Sequence, residues 1–254
     1  NYVSPGTAAA CGHTQPTGST IKQAADGKGM WIYRSANGMG SNYFANASLR
    51  WNYGVDGVLD NDSVEVRVFA VEMVYVPQGS FYLGSGGSST NEFATYGSGA
   101  PTTNPYWVTS NSAIQVGAST GFLYYPPQNG YQGDGLGPIP AAYPKGFNAF
   151  WIMKYECSQK QYVDFLASLD NARYNTRDNG VDTGTYPAIG AGQPERAMYS
   201  LSMADMLAYA DWSGMRPCSE MEYEKACRGA NQIPVPNEYP WGNTTITNIG
   251  VIFD

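Results

Sequence analysis

The order of its local signals predicts an α+β fold for this sequence. Period-two apolar alternation fills the early part, helical periodicity with capping boxes appears only past residue 150, and a long Gly- and Tyr-rich stretch lies between. The strand pattern opens at Met30 with Trp31-Ile32-Tyr33 and continues through Ser48-Leu49-Arg50-Trp51-Asn52-Tyr53. It is clearest where Val64, Val66 and Val68 alternate with Glu65 and Arg67. Such alternation puts one face in a core and the other in water. The pattern runs on from Phe69 to Val76 and stops at the turn Pro77-Gln78-Gly79. Between these strands, Asp56-Gly57-Val58-Leu59-Asp60-Asn61-Asp62 offers oxygen ligands to a calcium ion without the spacing or closing Glu of an EF-hand. Asp, Asn and Gly are also turn residues, and a plain hairpin connection is the preferred reading.

From Ser85 to Lys145 the chain is rich in Gly, Ser, Thr, Pro, Asn and Tyr and nearly free of charge. Stretches this long without periodicity are functional loop systems or linkers. The aromatics Phe93, Tyr96, Tyr106, Trp107, Phe122, Tyr124, Tyr125 and Tyr131 argue for order, because disordered segments are poor in them. Short strands are expected near Tyr106–Thr109 and Ile114–Val116. The glycines do not form a nucleotide loop, since no Lys-Ser or Lys-Thr follows and no helix signal comes after.

Three helices follow. Ser158 with Gln161 is a capping box, and Tyr162, Phe165, Leu166 and Leu169 supply the apolar stripe. Ser202 starts the next helix, with Asp205 in its first turn, Met203, Met206, Leu207 and Ala210 as its expected buried face, and Gly214 as cap. Ser219 with Glu222 opens the third, which is expected to pack Tyr223, Ala226 and Cys227 and to stop at Gly229.

Only 14% of the 254 residues are charged, against about 25% in an ordinary soluble domain. The net charge of -7 excludes a nucleic-acid binder that relies on a basic face. No run approaches the roughly 20 apolar residues of a membrane span. The low charge and the abundance of Tyr, Gly, Ser, Thr and Asn suit an exported bacterial surface protein, and the start at Asn1 suggests a mature product or a fragment. The single histidine, His13, excludes any multi-imidazole site within this sequence and reads as a loop residue. Cys11, Cys157, Cys218 and Cys227 lack zinc or redox spacing. In an oxidising compartment Cys157, entering the first helix, and Cys218, just before the third, are the expected internal pair.

Three stretches together resemble the formylglycine-generating enzyme, or sulfatase-modifying factor, family. Met73 to Gly84 is similar to its opening strand and "IPxGxFxMG" turn. Phe150 to Ser158 with Gln161, Tyr162 and Phe165 is similar to its strand-to-helix motif. Leu201 to Gly229 followed by Tyr239-Pro240-Trp241-Gly242-Asn243 resembles its two-helix region and "YPWGN". The resemblance implies a C-type-lectin-like α+β domain over residues 73–254, incomplete within this sequence, carrying the insertion 85–145 and preceded by a β-rich segment over residues 1–72. It implies that the family's two copper-binding cysteines belong to a segment after Asp254, so no copper or iron site is expected within this chain. It also implies a possible partial calcium site at Asn248 and Ile249, where Thr247-Asn248-Ile249-Gly250 resembles the family's "A-N-I-W".

Three functional readings follow. The first is a noncatalytic, extracellular or cell-surface binding or assembly protein that meets a protein or glycan through Tyr106, Trp107, Tyr124, Tyr125 and Tyr131. Large aromatics give contact area while Ser, Gly and Asn give adaptable hydrogen bonds. The second is a formylglycine-generating-type oxidase whose catalytic half is absent from this sequence. The third is a structural subunit of a surface filament or of a secretion or adhesion assembly. The competing role for the insertion's aromatics is a satellite core that pins a long loop. Glu222, Glu224 and Arg228 are expected to serve the fold.

Overall fold

The computed structural model describes residues 12–25, 29–38, 42–87, 92–125, 137–239 and 243–245. Its contacts divide the chain into two units, Asn1–Phe69 with Asp211–Met215, and Ala70–Ala210 with Arg216–Asp254.

In the first unit, β1 (Ser19–Gln23) pairs antiparallel with β2 (Met30–Arg34), and Ile21 lies opposite Ile32. Ile21 is buried, as is Ser19, whose hydroxyl donates to the Pro16 carbonyl at 2.7 Å. The Gln15 amide donates to the Ser19 carbonyl and accepts from the Ile21 N–H, so one side chain closes the strand entry. β2 is the expected Trp31-Ile32-Tyr33 strand. β1 escapes sequence reading because Ile21 is its only apolar residue. His13 lies in a loop, as expected, and its Nδ1 accepts from the Arg50 N–H at 2.7 Å.

Two strand expectations fail in this unit. Residues 48–53 make a bridge from Ser48 to Thr14 and then a 3-10 turn over Tyr53–Asp56, closed by Gly57 at φ +78°. Residues 63–69 belong to no ladder, because no strand among the described residues lies alongside them. The Asp-rich loop spends its carboxylates locally. Asp56 accepts from the Trp51 indole at 2.6 Å, Asp60 from the Tyr53 hydroxyl at 2.8 Å, and Asp62 from the Leu59 N–H at 2.8 Å. Phe69 packs edge-on against Trp212, ring centroids 4.9 Å apart.

Among the described residues, the second unit carries four small antiparallel ladders. β3 (Met73–Val76) pairs with β8 (Phe150–Met153), β4 (Phe81–Leu83) with β6 (Tyr106–Val108), β5 (Ala94–Thr95) with β7 (Leu123–Tyr124), and β9 (Asp182–Thr185) with β10 (Ala188–Ala191). Its main core gathers Phe81, Leu83, Val108, Ile114, Leu123 and Met221, with Phe93, Tyr106, Val116, Ile139 and Phe147 against it. Val108, Ile114 and Leu123 come from the 85–145 insertion, so that segment is an integral part of the fold. Of its two expected strands, β6 forms. Ile114 and Val116 make single bridges, to Ile139 and Leu123.

Helix α1 (Gln159–Ser168) starts at the expected capping box, in which Ser158 Oγ accepts from the Gln161 N–H and the Gln161 side chain accepts from the Ser158 N–H. Its Tyr162, Val163, Phe165 and Leu166 are buried, and the Tyr162 and Phe165 rings meet Tyr209 at 6.2 and 5.9 Å. α2 (Asn171–Arg177) has no apolar stripe to announce it. Asp170 caps it by accepting from the Arg173 N–H.

α3 (Met203–Trp212) and α4 (Glu220–Arg228) form where expected but turn other faces inward. On α3 Tyr209 is the buried residue, and Met203, Met206 and Leu207 are exposed. On α4 Met221, Glu222 and Lys225 are buried, and Tyr223 and Cys227 are exposed. The reason is polar satisfaction, which lets charged groups occupy the inside. Glu222 accepts two hydrogen bonds from Arg216, at 2.6 and 2.8 Å, and one from the Ser219 N–H. Lys225 Nζ donates to the Pro77 and Gly146 carbonyls, both at 2.7 Å, beneath the Phe81 ring. Lys145, equally buried, donates to the carbonyls of Pro140, Ala141 and Tyr143. These two ammonium groups pin the 140–147 loop. Among the described residues no helix is long and apolar enough to cross a membrane.

Candidate functional site

The expected binding residues are placed by the β4–β6 and β5–β7 ladders. Alternation in Phe81-Tyr82-Leu83 sends the Phe and Leu side chains into the core, fully buried, and Tyr82 outward. Register sets Trp107 opposite Tyr82 while Val108, opposite Phe81, joins the core. The Tyr82 and Trp107 rings lie 4.1 Å apart, tilted by 40°, and Trp107 is 36% exposed. Sequence reading found Trp107 and missed Tyr82, because the pairing depends on a ladder between segments far apart in the chain.

The other expected residues divide by environment. Tyr106 packs against the core cluster, and burial pushes its hydroxyl pKa up. Tyr124 is half-buried with its ring 5.2 Å from Tyr96. Tyr125, also half-buried, meets Phe93 edge-on at 5.1 Å. Its hydroxyl pKa is raised first by burial and then by the Glu220 and Glu224 carboxylates. Tyr131, Asn248 and Ile249 lie outside the described residues.

The entry to the insertion is fixed by Gly84. It sits at φ +89°, and a Cβ there would lie 1.8 Å from the Phe93 carbonyl oxygen, so only glycine fits. Its N–H donates to Glu224 at 2.8 Å. Burial raises the Glu224 carboxyl pKa against the lowering effects of that N–H and of Arg228. Arg228 reaches the Tyr82 carbonyl at 3.4 Å. Glu222, Glu224 and Arg228 thus hold backbone in place, in keeping with the structural role expected of them.

Residues 106–110 and 112–114, Thr109, Ser110 and Ser112 among them, line a hollow of about 70 Å³. Small-molecule sites usually enclose roughly 300–1,000 Å³. This feature is a shallow surface dimple.

Cys157, Cys218 and Cys227 carry free thiols in the structure, so it does not form the expected Cys157–Cys218 pair. Cys157 is half-buried near Tyr209 and donates to the Ser158 carbonyl, whereas Cys218 is exposed ahead of α4 beside Arg216 and Glu222. Burial pushes both thiols up, which disfavours the nucleophilic thiolate. Among the described residues, no group of three or more His, Cys, Asp or Glu side chains is arranged to hold a metal ion.

The profile of the sulfatase-modifying factor enzyme 1-like domain matches residues 61–251. The chain belongs to that family. No curated protein and no solved structure matches it. The sulfatase-modifying-factor-like region begins ahead of Met73 and takes in the insertion, helices α1 to α4 and the β4–β6 ladder that carries Tyr82 and Trp107.

Proposed function

We propose that this chain is a noncatalytic binding or assembly domain of an exported bacterial surface protein, in which a sulfatase-modifying-factor-like scaffold of C-type-lectin-like fold presents the insertion's outer aromatics to a protein or glycan. The observation that carries the reading is the Tyr82–Trp107 pair. Two tilted, partly exposed rings 4.1 Å apart sit on a ladder whose reverse side packs into the main core. Rings held this way lose little conformational entropy on binding, which is what a contact anchor requires. Tyr124 with Tyr96 extends the same aromatic chemistry on the neighbouring ladder. Tyr106 and Tyr125 serve the support beneath it.

The test pairs stability with binding. Neutral oligosaccharides are titrated against the tryptophan fluorescence of the wild type and of Trp107→Ala, Tyr82→Ala and Tyr125→Ala, and each variant is melted. Loss of binding in Trp107→Ala and Tyr82→Ala with melting shifted by less than about 2 °C supports the proposal, because exposed side chains carry little stability. A drop of several degrees in both, with binding intact, makes the aromatics a satellite core and ends it.

A further inference from the structure

The Ser63–Phe69 segment carries a strand pattern without a strand partner. Val64, Val66 and Val68 are 49%, 61% and 82% exposed, and Phe69 is 45% exposed. The side chains of Glu65 and Arg67 meet at 2.6 Å, which puts both on one side of the backbone, as period two requires. In an extended chain the valines would share the other side. No ladder among the described residues takes up the backbone of Val64, Val66 or Val68. Unpaired backbone N–H and C=O groups are a template for another strand, and charged side chains usually deter one.

Here the charge order selects a partner. Two copies aligned antiparallel about Val66 place Glu65 of each opposite Arg67 of the other. The same register sets Val64 against Val68, Val66 against its own counterpart, and Ser63 against Phe69. Parallel in-register pairing would set Glu65 against Glu65 and Arg67 against Arg67. Opposite charges and β-branched pairs facing across a ladder stabilise it, and like charges oppose it. The pattern is its own complement under a two-fold axis, which is the requirement of an isologous dimer.

We propose that Ser63–Phe69 pairs antiparallel with the same segment of a second copy of this chain, with the two-fold axis through Val66. On pairing, each Arg67 exchanges or shares its own Glu65 with that of the other copy, so the charge surface of the monomer becomes a four-group cluster across the seam. The valines form one continuous apolar row on the opposite side. A contact this small belongs with weak, reversible interfaces.

The test is the mass of the 254-residue chain by sedimentation velocity from about 1 to 200 µM, the range in which weak interfaces populate. A reversible dimer is expected. Val66→Lys, which brings two ammonium groups together on the axis, should abolish it with unchanged melting. Glu65→Lys and Arg67→Glu should each weaken it by about tenfold or more, and the double reversal Glu65→Lys/Arg67→Glu should restore it, since the complementarity is only exchanged. A chain that stays monomeric throughout, a dimer that survives Val66→Lys, or a double reversal as weak as either single one overturns the proposal.

Discussion

Two side chains that composition would send to water do the opposite. Lys145 and Lys225 are 1% and 0% exposed, and each directs its ammonium at backbone carbonyls. Burial lowers the pKa of both amines, so the carbonyl oxygens must offset the cost of holding a charge there. Lys225→Met should cost about 3 kcal/mol or more, because it leaves the Pro77 and Gly146 carbonyls without their donor inside the protein, as urea unfolding would measure. Glu222 gives the pH counterpart. Burial pushes its carboxyl up, but the Arg216 guanidinium and the Ser219 N–H and hydroxyl outweigh that and hold its pKa below the ordinary 4.5. A lowered folded pKa stabilises the fold above the unfolded value, and the gain disappears as pH falls through the folded value. Glu222→Gln should therefore cost roughly 2 kcal/mol at pH 7. The gap to wild type should narrow in denaturation experiments as pH falls below the ordinary 4.5 and through the folded value, where the wild-type side chain becomes neutral as well. Arg216 is 56% exposed, so water screens its share of the effect.

At the scale of elements, two helices begin with the same motif in different surroundings. Ser158 caps α1 at a half-buried start, while Ser219 caps α4 and also donates its hydroxyl to the Pro144 carbonyl at 2.6 Å. Ser158→Ala should cost about 1 kcal/mol, the usual worth of a cap. Ser219→Ala should cost more, roughly 2 kcal/mol, since a half-buried carbonyl also loses its partner, and paired thermal melts would show the difference. Both caps were legible because the box is local, needing only Ser and Gln or Glu three residues apart. The inward faces of α3 and α4 were not. Met203, Met206 and Leu207 make an apolar stripe on α3, yet Tyr209 fills the space beside Tyr162 and Phe165. On α4 the stripe Tyr223, Ala226 and Cys227 lost to a face whose Glu222 bonds Arg216 and Ser219 just ahead of the helix and whose Lys225 reaches carbonyls distant in the chain. Hydrophobicity ranks faces only when polar groups have nowhere inside to bond, and no local pattern reveals that. The same limit hid Tyr82, which alternation placed outward but only the β4–β6 register brought onto Trp107.

For the whole molecule, family membership was readable from three separated motifs, while the insertion's role was not. Its composition was that of a loop, but three of its apolar residues sit in the main core with Phe81 and Leu83. The segment that carries the proposed contact surface is thus folded by the same packing that stabilises the domain. On the proposed reading, that coupling makes Trp107 and Tyr82, rather than Tyr106 or Tyr125, the residues at which binding and stability should separate.

The buried lysines have a further consequence, which concerns reagents. An amine acylates only as the unprotonated, solvent-reached group. The side chains of Lys154 and Lys160, 42% and 59% exposed, should therefore react promptly with an acetylating ester. Lys145 and Lys225 can react only while the 140–147 loop is open, a local event with its own free energy. Under native conditions, peptide mass spectrometry should find the first pair modified and the second spared. Slow acetylation at Lys225 then counts openings of this one junction, giving the molecule a built-in covalent recorder of its own breathing.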